Sequence, residues 1–225
     1  MNTLIVAAAN GFVQRPWAKR VVDKINSLCG DVPAIDISDI IPWRSLTYPP
    51  MAKLHIWRIV PKSIERLIWI DSDTYVNRPI FYDDLPTEPF SAVVDPWIAT
   101  SIVDNKAVGK YALHGQLPLY FNSGFFVARR EAIPVFDYAI ELEGQRPKDD
   151  VDFFREQDSF NWAAWTVLGK QQPGNPGWNR LDEDWNFMYK NRISSTPKPI
   201  VVHLAGTDEL EKRSILSSLY AGVPL

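Results

Sequence analysis

The sequence predicts an α/β fold: a mostly parallel central sheet flanked by helices, in a single domain spanning residues 1–225. Three observations lead there. The chain opens with a β-α-β pattern, the unit from which parallel sheets are built. Its later strands read as short continuous apolar runs, the pattern of strands covered on both faces. Several of those runs end in an acid or a histidine, at the strand end where open α/β sheets hold their ligands.

The elements follow in order. Leu4 to Ala9 is an apolar run punctuated by Asn10-Gly11, a strand and then a turn. Trp17 to Leu28 carries apolar residues at helical spacing, with Pro16 at its start and Gly30 at its end, as expected of an amphipathic helix. Ala34 to Ile37 completes the opening unit. Residues 39–50 are loop-like, and Met51 to Ile59 looks helical. Arg66 to Ile70 is a strand running straight into Asp71. Phe90 to Val94 is another, ending at Asp95. Tyr120 to Ala128 is a third, interrupted by Asn122-Ser123-Gly124. Glu131 to Leu142 and Glu156 to Leu168 are helical. Ile200 to Leu204 is a last strand carrying His203, and Glu209 to Leu219 a closing helix. No repeat, linker or low-complexity tract divides the chain.

Composition narrows the function. The chain has 225 residues, 46% of them hydrophobic, and a net charge of -3. That is enough to build one substantial core, and it offers no basic field to attract nucleic acid. An acidic protein that binds an anion needs a local cation such as a metal. The single cysteine, Cys29, excludes an internal disulfide and fits a reducing, cytoplasmic setting. No apolar run is long enough to span a bilayer, so any membrane association is expected to be peripheral. The 18 prolines and nine tryptophans indicate ordered loops and aromatic packing, with a tryptophan or two available to stack on a sugar ring.

The chemistry concentrates in four segments. In LIWIDSDTYVN, Asp71 and Asp73 follow a buried strand with Ser72 between them, so both carboxylates point to one side. Like charges held so close call for a counterion. Mn2+ or Mg2+ suits oxygen ligands and commonly completes its shell with substrate phosphates. In IVVHLAG, His203 offers an imidazole nitrogen that would complete such a site; His55 and His114 have no comparable setting. In YFNSGFFVARR, Gly124 lets a backbone or ligand approach closely, and Asn122 offers the donor and acceptor that a sugar hydroxyl needs. A plain β-bulge is the simpler alternative. In REQDSFNWAAW, Gln157 and Asp158 lie in the first turn of a helix, where a carboxylate is also good capping chemistry.

Together and in this order, these segments resemble the GT-A fold glycosyltransferases, and within them family 8. The Asp71-Ser72-Asp73 segment resembles that family's metal motif, FNSG its Phe-Asn-(Ala/Ser)-Gly, EQDSFN its Asp-Gln-Asp-x-x-Asn, GWNRLDEDWN its late Trp-Asn segment, and VVHLAG its His-x-x-Gly. The resemblance implies that Asp71, Asp73 and His203 bind the metal, which holds the diphosphate of a nucleotide-sugar, usually a UDP-sugar. It implies that Asp95, Asn122, Gln157 and Asp158 contact the donor sugar, with Gln157 and Asp158 near the anomeric carbon. Lys53 falls where a donor-contacting base is expected, and Asn10 near the nucleotide pocket. The nucleotide-binding part is then about 1–95, and the sugar and acceptor part about 96–225. The acceptor would be a carbohydrate, glycan or glycosylated protein.

The chain also departs from that pattern. The family's first-strand acid is replaced in Ala8-Ala9-Asn10-Gly11-Phe12, leaving Phe12 or Trp17 to stack on the base. Glu156 replaces the first acid of Asp-Gln-Asp. Thr207-Asp208-Glu209 stands where Lys-Pro-Trp is usual, which leaves Lys212 or Arg213 as the phosphate-clamping cation.

The reaction expected is transfer of a hexose to an acceptor hydroxyl with retention. An inverting enzyme would need a base, for which Asp158, Asp182, Glu183 and Asp184 stay open. A haloacid dehalogenase-like phosphohydrolase shares Asp-x-Asp after a strand, but Tyr75 stands where its motif has Thr or Val. A sugar nucleotidyltransferase would need a basic, glycine-rich first loop, to which AAANGFVQR is a poor match. A carbohydrate-binding module accounts for the tryptophans, but not for acids after successive strands. The 100–118 segment, with His114 and Gly115, and the 171–185 loop are the expected acceptor rim.

Overall fold

The computed structural model describes residues 2–9, 15–28, 30–42, 46, 49–96, 119–145, 155–172, 174–189, 198–205 and 207–221. Asn10, Phe12, Cys29, Gly206 and the 100–118 segment lie outside them.

The expected α/β architecture is present. Strands β1 (Thr3–Ala8), β2 (Ala34–Asp36), β3 (Arg66–Asp71), β5 (Phe90–Val94), β6 (Phe121–Arg129) and β7 (Asn179–Leu181) form one sheet in the order β2-β1-β3-β6-β5-β7. Pairs β1/β2, β1/β3 and β5/β7 are parallel, whereas β6 runs antiparallel to both its neighbours. A second sheet, β4 (Thr74–Val76), β9 (Val201–His203) and β8 (Phe187–Met188), has the order β4-β9-β8.

Strand alternation sorts the side chains onto two faces. Leu4, Val6, Leu67, Trp69, Phe126 and Ala128 face one way and pack under helices α3 (Ile133–Gln145) and α4 (Arg155–Val167). Phe90, Phe121, Phe126, Phe136 and Phe160 form a ring cluster there, with neighbouring centroids 4.8–6.2 Å apart. Ile5, Ala7, Ile68, Ile70, Phe125 and Val127 face the other way, onto helix α1 (Arg15–Ser27), the small sheet and helix α5 (Glu209–Leu219). The main sheet crosses the boundary near residue 95, because β3 pairs with β6 and β5 with β7.

Three expectations change in detail. Met51 to Ile59 is mostly a 3-10 helix, Pro49–His55, with a single α turn at α2 (Ile56–Ile59). The 171–185 loop is not one long connection. It contributes β7, and Trp178 packs edge-on against Phe121 at 5.4 Å, drawing the segment into the core. The strand through Asn122-Ser123-Gly124 is continuous, but its pairing with β5 slips between Ala92 and Val94. Among the described residues, no helix is long and apolar enough to cross a membrane.

Candidate active site

Strand β3 ends at Asp71, and the turn Ser72-Asp73 leads into β4. This brings the last strand to the first motif. Thr74 pairs with His203 across β4 and β9, and the Leu204 amide donates to the Asp73 carbonyl at 3.0 Å. The small sheet thereby fixes His203 beside the two acids. Ligand atoms of Asp71, Asp73 and His203 all lie within 4.8 Å of one another.

Position 124 is what lets the imidazole in. A Cβ on Gly124 would stand 2.0 Å from His203 Cε1. The expected close approach at this glycine is therefore made by a histidine ring of the site itself.

The slipped stretch of β6 leaves the ladder, and side chains satisfy its backbone groups. Asn161 Oδ1 accepts from the Phe121 amide at 2.8 Å, and Gln157 Oε1 from the Ser123 amide at 2.8 Å. Asn122 Oδ1 accepts from the Gly124 amide at 2.9 Å and from Asn186 Nδ2 at 3.0 Å. The Ser123 carbonyl accepts from Lys53 Nζ at 3.2 Å. Helix α4 is thus stitched to β6 by Gln157 and Asn161, one turn apart on one face.

The acids expected at the donor sugar join the same network. Asp95 Oδ2 accepts from Asn122 Nδ2 at 3.2 Å and from Gln157 Nε2 at 3.0 Å. Asp158 Oδ1 accepts from the Tyr120 hydroxyl at 2.5 Å, and the Tyr120 carbonyl accepts from the Asp95 amide at 2.9 Å. Burial pushes the Tyr120 phenol well up, and neighbouring Asp158 and Asp95 push it further. The hydroxyl therefore stays protonated and donates. Tyr120, Asn161 and Asn186 were not singled out by sequence. Their only signal was place: Tyr120 stands beside FNSG, and Asn161 and Asn186 close EQDSFN and the Trp-Asn segment.

Two lysines neutralise the acids. Lys53 Nζ lies 3.1 Å from Asp71 Oδ1 and 3.6 Å from Glu156 Oε1. Burial pulls its pKa down, but Asp71 and Glu156 outweigh that and raise it. Trp69 Nε1 donates to Asp71 at 2.6 Å. Lys212 Nζ lies 2.8 Å from Asp73 Oδ2, and His203 Nε2 lies 3.2 Å from Asp73 Oδ1. Burial pushes Asp73 up, yet His203 and Lys212 more than offset it and hold the carboxyl well below its usual range.

Glu156 behaves oppositely. Burial raises it, Lys53 only partly opposes this, and Asp71 and Glu143 add to it. A raised carboxyl keeps its proton longer folded than unfolded, so its contribution is present below the ordinary pKa and fades as pH rises through the folded one. Glu156→Gln should therefore remove a decline in stability over the pH window just above the ordinary carboxyl range. Denaturant melts across that window check this; an unchanged slope would contradict it.

These residues surround an open cavity of about 230 Å3 lined by Ala8, Ala9, Trp17, Lys53, Trp69, Asp71, Ser72, Asp73, Glu156, Lys212, Arg213 and Leu216, among others. Of the sequence-predicted residues, Trp17, Lys53, the Asp71-Ser72-Asp73 segment, Lys212 and Arg213 reach this cavity. Asp95, Asn122, Gln157 and Asp158 are buried in the adjoining network. The small Ala8 and Ala9 replace a first-strand acid, and Trp17 is the aromatic that reaches the cavity from α1.

The family model for glycosyl transferase family 8 matches residues 39–208. The chain belongs to glycosyltransferase family 8. It is a glycosyltransferase, and the matched stretch contains Lys53, the Asp71-Ser72-Asp73 segment, His203 and the buried network, but not Ala8, Ala9, Trp17 or the α5 residues. Among solved structures, the WbbM bifunctional glycosyltransferase is similar, with a TM-score of 0.70 and 15% identity over 98% of this chain and 50% of that one. The chain thus spans half the length of that protein. Galactosyltransferase LgtC, solved with donor and acceptor sugar analogues, gives a TM-score of 0.66 and 14% identity over 99% of this chain and 96% of its own. A glycosyltransferase involved in glycosylation of the major capsid of PBCV-1 gives 0.59 and 19% over 96% and 98%. At such identities these likenesses speak for the fold. No curated protein matches the sequence.

Family 8 glycosyltransferases are typically metal-dependent, and this chain's residues fit a divalent ion. The cluster supplies two hard oxygen donors and one imidazole, a set suited to Mn2+. His203 is buried, and its Nδ1 has no hydrogen-bond partner among the described residues.

Proposed function

We propose that this glycosyltransferase moves a hexose from a nucleoside diphosphate sugar, a UDP-sugar, to an acceptor hydroxyl, with retention and with Mn2+ or Mg2+. The supporting observation is the convergence of Asp71, Asp73 and His203, with both acids on the wall of a cavity that also presents Lys53, Lys212 and Arg213. Carboxylates alone would repel a diphosphate. Carboxylates that hold a cation, flanked by three basic side chains, would hold one.

Asp71, Asp73 and His203 hold the ion, which when bound acts as a Lewis acid toward the leaving diphosphate. Lys212 and Arg213 on α5 stand on the cavity wall to meet the phosphates, and Trp17 offers an aromatic face to the base. Asp95, Asn122, Gln157 and Asp158 set the donor sugar. Hydrogen bonds among Asp95, Asn122 and Gln157, and from Tyr120 to Asp158, hold them before substrate arrives, which lowers the cost of ordering them in the transition state. Lys53 orients Asp71, and Tyr120 orients Asp158. The acceptor is a carbohydrate, glycan or glycosylated protein.

Calorimetric titration with nucleoside diphosphates, with and without Mn2+, tests the reading. Binding should require the metal and favour UDP; equal binding without metal would overturn it. With the donor known, NMR of the first-formed product anomer reads the stereochemistry, and an inverted product would refute retention.

A further inference from the structure

Two ammonium groups share the two acids of the cluster, and they are held very differently. Lys53 is buried, 3.1 Å from Asp71, with Ser123 accepting through its carbonyl at 3.2 Å and its hydroxyl at 3.3 Å, and Glu156 at 3.6 Å. Lys212 rides on surface helix α5, 2.8 Å from Asp73 Oδ2, and its other partner is the exposed Glu209 at 3.7 Å. Both Asp73 oxygens are engaged, one by Lys212 and one by His203.

We infer that Lys212 is a tethered counter-cation on Asp73 that must leave before a divalent ion can use that carboxylate, so that metal and diphosphate are taken up together. This rests on the metal reading of Asp71, Asp73 and His203. An ammonium and a dication cannot share one carboxylate oxygen without strong repulsion. The flexible four-carbon stem lets Lys212 swing, and the cavity that it lines is where a diphosphate offers it a new anion. Without that anion, Lys212 leaves Asp73 only for water, and metal alone binds weakly. With it, the displaced charge is paired again, and the two ligands favour each other.

The test is an EPR titration of free Mn2+, which needs neither donor nor acceptor, on wild type, Lys212→Gln, Lys212→Met and Arg213→Gln, with and without inorganic pyrophosphate. The Mn2+–pyrophosphate equilibrium in solution is corrected for. Removing the Lys212 charge should tighten binding of Mn2+ alone by about tenfold. Pyrophosphate should then strengthen Mn2+ binding in wild type by about tenfold more than in either Lys212 variant. Arg213→Gln, which removes a neighbouring charge that lines the same cavity, should shift binding of Mn2+ alone by less than about threefold. Unchanged or weaker Mn2+ binding in both Lys212 variants would overturn the inference, as would an equal gain in Arg213→Gln. Wild type that binds no Mn2+ under either condition would instead overturn the metal reading beneath it.

Discussion

Asparagine at position 73 should abolish metal-dependent binding of nucleoside diphosphates, a loss of more than about a hundredfold. The change keeps size and one carbonyl oxygen but removes the charge on which two cationic partners converge. His203 Nε2 approaches Asp73 at 3.2 Å and Lys212 Nζ at 2.8 Å, and the carboxylate belongs to the three-residue cluster. The same charge is also structural. Asp73 is held ionised, so its stabilisation is present above the ordinary carboxylate pKa and is lost as pH falls below it. Asp73→Asn should therefore melt lower than wild type at neutral pH, with the gap closing in acid. Mn2+-dependent calorimetry together with melts at pH 7 and in acid separates the two effects. Retained metal-dependent binding in Asp73→Asn would contradict the assignment.

That prediction was half legible in the sequence. An acidic pair straight after Leu67-Ile68-Trp69-Ile70 has few physical readings, and a histidine at the end of another apolar run supplies the missing ligand. Long apolar runs announce buried strands, which is why β3, β5 and β6 stand where the pattern puts them. Of the small sheet, only β9 was legible, as the apolar run Ile200 to Leu204. Strands β4 and β8 have three and two residues, too few for any periodicity to register. Their job is set by long-range pairing, which carries His203 to Asp73. The Lys212–Asp73 pair spans 139 positions, and a lysine one helical turn into a surface helix announces nothing by itself. Gln157 shows a different gap. Its motif suggested a group reaching for substrate, whereas its amide already bonds the Ser123 backbone and Asp95. It positions the loop and the acid at once, a double role that only the bulge geometry reveals.

Alanine at Gly124 should damage the site without replacing a ligand. The added methyl carbon would lie 2.0 Å from His203 Cε1, 2.7 Å from Nδ1 and 2.9 Å from Nε2. The ring cannot yield easily, because His203 is buried and its strand is paired on both sides, to β4 and to β8. Overpacking of this kind costs about 1–3 kcal/mol. Turning the imidazole away should weaken Mn2+ binding by at least about tenfold. Gly144 on α3 is the contrast: a Cβ there meets nothing within 4 Å, so Gly144→Ala should be neutral or stabilise by up to about 1 kcal/mol. The pair Gly124→Ala with His203→Ala distinguishes steric conflict from general weakening. Removing the ring makes room for the methyl, so the double variant should be more stable than the sum of its single changes implies. Its Mn2+ affinity should stay lost, because the ligand is gone. Additive losses of stability, or a Gly124→Ala protein with wild-type Tm and metal affinity, would show that the glycine is not there to admit the histidine.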